Sequence, residues 1–199
     1  MSRNAMVVHP HHRDNSLTAY LARVAEKRLL SEGYEVDFLD LAAEGFDPAM
    51  TEADQPDWGN RDKRYSDTVM AHQERLLAVD KVVVVFPVYW FSMPALLKGW
   101  IDRVWNYGFS YGRSVPRLGN LSVLFVALAG AQEDVGTDVD FIRSSLDLGV
   151  RRGIGEFNGL KETVLHLVAN SEGADVEDRE GHYARIEEGV TEAVADFAR

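Results

Sequence analysis

The residues best placed to do chemistry in this chain are rings. Phe86-Pro87-Val88-Tyr89-Trp90-Phe91-Ser92-Met93-Pro94 closes an apolar run with three consecutive aromatics between two prolines. A buried strand has no use for Tyr89, Trp90 and Phe91 at its tip. Either they plug the space under the next helix, or a flat apolar ligand or a partner subunit covers them. A second ring-rich stretch follows, Trp105-Asn106-Tyr107-Gly108-Phe109-Ser110-Tyr111-Gly112. Two such segments that cannot both be core fit a dimer whose subunits together wall a flat cavity.

The other polar candidates lie in His9-Pro10-His11-His12-Arg13-Asp14-Asn15-Ser16-Leu17-Thr18. No glycine occurs there, which excludes the Gly-rich dinucleotide fingerprint and the P-loop. Backbone N–H groups at the start of a following helix, with the Ser16 and Thr18 hydroxyls, suit a phosphate. Asn15 or Ser16 as a plain N-cap is the simpler reading of the same spacing. A metal site on His9, His11 and His12 is disfavoured, because nothing at helical spacing completes it and adjacent residues rarely face one ion. Ala129-Gly130-Ala131-Gln132 is a run of small residues that lets backbone amides approach a ligand.

These segments need a scaffold, and the hydrophobic pattern predicts one. Strands are expected at 5–9, 34–41, 81–86, 121–128 and 160–168, with helices at 16–32, 66–79, after Pro94, 138–152 and 179–197. The Val-rich run 81–86 reads as a central parallel strand buried on both faces. Leu97, Trp100, Ile101 and Val104 mark the inward face of the helix after Pro94, and Tyr183, Ile186, Val190, Val194 and Phe197 that of the last. Strand–helix alternation gives an α/β doubly wound fold, in which ligands bind beyond the carboxyl ends of the strands. The polar stretch 42–65 is long for a loop and implies a purpose.

The 199 residues fit one domain, 1–199. There is no cysteine, hence no disulfide or thiolate chemistry. A net charge of −11 argues against nucleic acid and anionic membrane as partners. The first residues lack the apolar run of a signal peptide, and no stretch is long enough to cross a bilayer, so a cytoplasmic location is expected.

With both aromatic segments read, the chain resembles the flavodoxin-like NAD(P)H quinone reductases, and within them bacterial members such as the ancillary quinone reductases of glutathione-gated potassium efflux systems. His9-Pro10, the run Phe86 to Val104 and Gly108-Phe109-Ser110-Tyr111-Gly112 carry the resemblance. It implies a flavodoxin-like three-layer sandwich with a five-stranded parallel sheet in the order 2-1-3-4-5. It also implies a bound flavin, FMN or alternatively FAD, with NADPH or NADH as co-substrate and a quinone-like acceptor. His9, Asn15, Ser16, Leu17 and Thr18 would hold the flavin phosphate end. Pro87, Val88, Tyr89, Trp90 and Phe91 would lie along the ring system, Trp90 against nicotinamide or quinone, and Ala129 and Gly130 at the pyrimidine edge. Tyr111 of the other subunit of a homodimer would close the substrate cavity. Two departures stand out: Thr18-Ala19 where an Asn is frequent, and Ala129 to Asp134 where a Thr-Thr-Gly-Gly run with a later Tyr or His is usual. The second removes the expected proton donor, whereas backbone N–H stabilisation survives it. Alternative readings are a regulatory flavin-binding subunit of a potassium efflux transporter, a membrane partner, and a flavodoxin-like electron carrier.

Overall fold

The computed structural model describes residues 3–132 and 138–199. Five parallel strands form one sheet in the order β2-β1-β3-β4-β5. They are β1 (Arg3–His9), β2 (Tyr34–Asp40), β3 (Lys81–Pro87), β4 (Ser122–Leu128) and β5 (Glu162–Val168). β3 is central and β4 is buried along its whole length, as their unbroken apolar runs predict.

Helices α1 (Leu17–Ser31) and α5 (Arg179–Ala198) cover one face. Helices α2 (Asp67–Leu77), α3 (Ala95–Val104) and α4 (Asp138–Leu146) cover the other. Ser16 and Ser66 cap α1 and α2, each accepting a backbone N–H three residues on. Gly33, at a φ of 84°, turns the chain out of α1 into β2. The expected inward face of α3 is buried in full, and Trp100 donates its indole N–H to His72 Nδ1 at 3.3 Å beneath it. In α5, Val190, Val194 and Phe197 are buried, while Tyr183 and Ile186 reach only half-burial at the rim.

One element departs from the pattern. The single helix expected over 138–152 ends at Leu146 and continues as a π-helical coil, Asp147–Glu156. Gly149, Gly153 and Gly155 weaken the α preference there. Gly155 also lets the coil press onto β5, since a Cβ would overlap the Thr163 side chain. Among the described residues, no helix is long and apolar enough to cross a membrane.

Candidate functional site

β1 pairs with β3 only as far as Val8 with Val84, while β3 and β4 stay in register to Pro87 with Leu128. The chain builds outward in opposite directions from β1 and β3. A crevice therefore opens between their tips, where doubly wound sheets bind ligands. The residues after His9 and those after Pro87 form its two sides.

On the first side His9 is 2% exposed, and neither ring nitrogen has a hydrogen-bond partner. Asp40 Oδ2 lies 3.6 Å from Nδ1. Burial pushes the imidazole below its ordinary pKa despite the opposing pull of Asp40, so at neutral pH the ring offers one donor and one acceptor. A buried polar ring with both nitrogens unbonded calls for a ligand or water to meet it. The Ser16 hydroxyl is committed to the helix: it accepts from Ala19 N at 3.1 Å and donates to Arg13 O at 3.0 Å. Asn15 is exposed and accepts from Arg13 Nε at 3.3 Å. Thr18 is largely buried, at 4% exposure. What remains for an anion is the pair of first-turn N–H groups of half-buried Leu17 and of Thr18, which no helix carbonyl can take.

On the second side the three aromatics form a hairpin turn. Tyr89 N donates to Ser92 O at 2.9 Å and Ser92 N to Tyr89 O at 3.1 Å. Trp90 and Phe91, the two central residues, have φ of 50° and 60°. That is the backbone of a type I′ turn, which favours Asn-Gly and is strained for bulky side chains. Trp90 is 95% exposed. Neither a plug nor a core contact accounts for it: the turn holds the Trp90 ring out in solvent beyond the end of β3. Pro87 and Val88 are half-buried, and Val88 N is spent on Leu128 O at 2.7 Å. The amides left facing outward by the turn are those of Trp90 and Phe91.

The second aromatic segment is not the free counterpart that its composition suggests. Trp105 and Phe109 belong to the main core. Tyr107 and Tyr111 stay half-exposed and extend into a row of rings: Trp58 to Tyr107 at 5.1 Å, Tyr107 to Tyr111 at 5.7 Å, Tyr111 to Phe157 at 5.6 Å. Burial pushes the Tyr111 phenol up, so it stays protonated. Trp58 and Phe157 sit outside every motif and were missed by sequence reasoning. Tyr111, Ser92 and Met93 line a cavity of about 350 Å³, and Trp90 is not among its lining residues.

The long loop 42–65 is what holds this segment. Asp54, fully buried, accepts from Arg103 Nη2 at 2.6 Å and from Ser66 N at 2.8 Å. Asn106 donates to the Asp54 carbonyl at 2.6 Å, and Tyr65 donates its hydroxyl to the Tyr107 carbonyl at 2.7 Å. Burial pushes the Tyr65 phenol up to about 12, so it remains a donor at any working pH. Gly108, at a φ of 79°, lies against the Arg61 carbonyl with no room for a Cβ. Gly108→Ala is expected to cost at least about 2 kcal/mol, from the left-handed backbone together with the overlap of its Cβ with the Arg61 carbonyl of the docked loop. Urea denaturation will show the loss, and a cost under about 0.5 kcal/mol would mean the loop is not docked there.

The small-residue tip is more occupied than expected. Ala129 N donates to Val168 O at 2.8 Å and its carbonyl accepts from Ser171 N at 2.9 Å. Its backbone is thus part of the sheet and unavailable to a ligand, which narrows this edge to the amides of Gly130 and Ala131. Glu172 packs against Gly130, 3.1 Å from where a Cβ would stand. Glu133 and Asp134 lie outside the described residues.

A family model described as a flavodoxin-like fold matches residues 3–190. The chain is 36% identical over 182 residues to an uncharacterized NAD(P)H oxidoreductase, YcaK, of Escherichia coli K12, covering 92% of this chain and 91% of that one. It is 27% identical over 222 residues to NAD(P)H dehydrogenase [quinone] 1 of Rattus norvegicus, covering 98% and 81%. The NAD(P)H:quinone oxidoreductase of Methanothermobacter marburgensis shares the fold at a TM-score of 0.86 and 20% identity, over 100% of this chain and 98% of that one. From the sheet order, the crevice and these likenesses together, the chain belongs to the flavodoxin-like NAD(P)H quinone reductase family.

Proposed function

We propose that the chain is a single flavin-binding domain that takes a hydride from NADPH or NADH and reduces quinones or similar flat acceptors by two electrons. The observation that carries this reading is the strained Trp90-Phe91 turn at the switch-point crevice, opposite the unbonded ring of His9. FMN is the flavin proposed for the crevice. When bound it supplies the hydride chemistry, which no side chain of this chain can perform.

The residues fit such a group. The Leu17 and Thr18 N–H groups and His9 present donors to its phosphate. The Trp90 and Phe91 amides would hold its ring system, and the rings of Tyr89 and Trp90 would give the nicotinamide or quinone a surface to stack on. Gly130 and Ala131 leave backbone N–H groups for developing negative charge at the opposite edge. Because the nicotinamide and the acceptor use one surface in turn, the kinetics are ping-pong. Tyr111 would complete the cavity from the partner subunit of a homodimer, and the 95% exposure of Trp90 supports a covering partner or ligand. The same reading places the enzyme in the cytoplasm, and a membrane transporter partner enters only from the family resemblance.

Stopped-flow absorbance tests it. Flavin-loaded protein mixed with NADPH or NADH should bleach in one two-electron step and recover colour on mixing with a quinone. Protein that cannot be reconstituted with FMN or FAD overturns the reading, and slow one-electron phases would favour a carrier.

A further inference from the structure

The two edges of the sheet are not alike. At one, β2 carries Glu35, Asp37 and Asp40, and Asp37 is paired to Arg75 at 2.7 Å. Charges of that kind keep an edge strand from pairing with another chain. At the other, β5 reads Thr-Val-Leu-His-Leu-Val after its one acidic residue, Glu162. β4 lies on one side of it and no strand on the other, so a row of backbone N–H and C=O groups faces outward.

Open space runs along both faces of this edge. Between β5 and α5 lie two cavities of about 560 and 470 Å³, with His166 and Gly189 in the wall of both. On the opposite face a cavity of about 690 Å³ lies between β5 and the coil after α4, with Leu148, 66% exposed, in its wall. Two arginines of that wall, Arg151 and Arg152, are answered by Asp147 of their own chain.

α5 sets a charge pattern along the edge. His182, Arg185, Gly189, Glu192 and Asp196 follow at steps of three and four, so they form one stripe of the helix, and all five line the two cavities beside β5. The stripe begins with Arg185 and a histidine and ends with two carboxylates, and its sign changes across Gly189. Among the described residues neither Arg185 nor Glu192 has an ion-pair partner, and Asp196 has exposed Arg199 at 3.0 Å. A stripe that reverses sign about its midpoint is complementary to itself turned end for end. Antiparallel pairing of β5 with a copy of itself turns it that way.

We propose that β5 and α5 form a two-fold interface with a second copy of this chain. The two β5 strands pair antiparallel about Leu165 and join two five-stranded sheets into one. Arg185 meets the partner's Glu192. Gly189, without a side chain, lies at the axis and lets the two α5 helices approach. Leu148 is covered on the other face. This interface is separate from the Tyr111 side of the substrate cavity and does not rest on the flavin reading.

Sedimentation velocity of the full chain at micromolar concentration reads the assembly. Arg185→Glu sets acid against the partner's acid and should halve the particle mass. Adding Glu192→Arg makes the signs opposite again and should restore it. Gly189→Lys should also halve the mass. It keeps the fold, because lysine favours a helix more than glycine does and a Cβ there meets only His166 Nε2, at 4.0 Å. Far-UV circular dichroism of each variant should match that of the native chain. The mass halves whether or not the Tyr111 side pairs as well, so the two interfaces are read separately. A native chain that sediments like Gly189→Lys overturns the proposal. So does an Arg185→Glu variant that keeps the full mass, or a charge-swapped double variant that stays at half.

Discussion

Arg103→Met is expected to remove about 3–5 kcal/mol of stability and to lower Tm by roughly 10 °C. The reason is what it leaves behind. Asp54 has no exposed surface, and its carboxylate is answered by Arg103 at 2.6 and 3.2 Å, by Ser66 N at 2.8 Å, and by the Ser66 and Thr51 hydroxyls, each at 3.1 Å. Burial alone would raise its pKa, but these bonds more than offset it and hold the carboxyl below its usual range. Without the guanidinium a charge stays buried with only neutral donors. Adding Asp54→Leu to Arg103→Met should recover at least about 2 kcal/mol, because a buried pair replaced by apolar groups is far cheaper than half a pair. The depressed pKa gives the sign of the pH dependence. The contribution of Asp54 is complete above the ordinary carboxylate range and is lost as pH falls through the depressed value, so Arg103→Met should flatten the acid side of the stability profile. Urea titrations across pH measure all three. A loss below about 1 kcal/mol for the single variant would show that Arg103 does not staple the loop.

Arg103 also shows where the sequence stops being readable. It sits inside the run Phe86 to Val104, whose helical period correctly places Leu97, Trp100, Ile101 and Val104 inward. Periodicity reports which residues are apolar and how they repeat, so the strands, the α3 face and the sheet order follow from it. It is silent on a polar residue whose partner lies 49 positions away. Asp54 stands in a stretch that reads as solvated loop, and nothing local marks it as the counter-ion of a buried arginine. The same blindness explains Trp105 and Phe109: rings in a connecting segment look exposed until they are seen in one core cluster with Phe46 of loop 42–65. At the β4 tip the small residues were legible, but the capture of the Ala129 N–H by Val168 depends on how far β5 runs, which a run of alanines and a glycine does not encode. The π-helical coil after Leu146 is a fourth case. Its glycines signal weakness of the helix, while the direction of the distortion comes from Gly155 meeting Thr163 on a strand that follows it.

The strained turn offers the sharpest separation of function from stability. Trp90→Asn with Phe91→Gly supplies the residue pair that a type I′ turn favours. Each left-handed bulky residue costs on the order of 1 kcal/mol, so the double variant should gain about 1–2 kcal/mol and raise Tm by roughly 5 °C. Trp90, 95% exposed, gives up little burial, whereas Phe91, 43% exposed, gives up more than half of its own, which holds the net gain to the lower end of that range. Turnover with a flat acceptor should fall at least about tenfold, since the stacking surface is removed from the crevice mouth while the Tyr89–Ser92 hydrogen bonds that shape the turn are kept. Calorimetry and steady-state reduction of a quinone read the two effects on the same preparation. A fall in both stability and turnover would mean that the rings pack against something in the folded protein, and the strain would then be a by-product of packing. A gain in stability with no loss of turnover would remove Trp90 and Phe91 from the substrate surface altogether. The expected pairing, more stable and less active, is what a backbone held against its preference for the sake of a ligand must give.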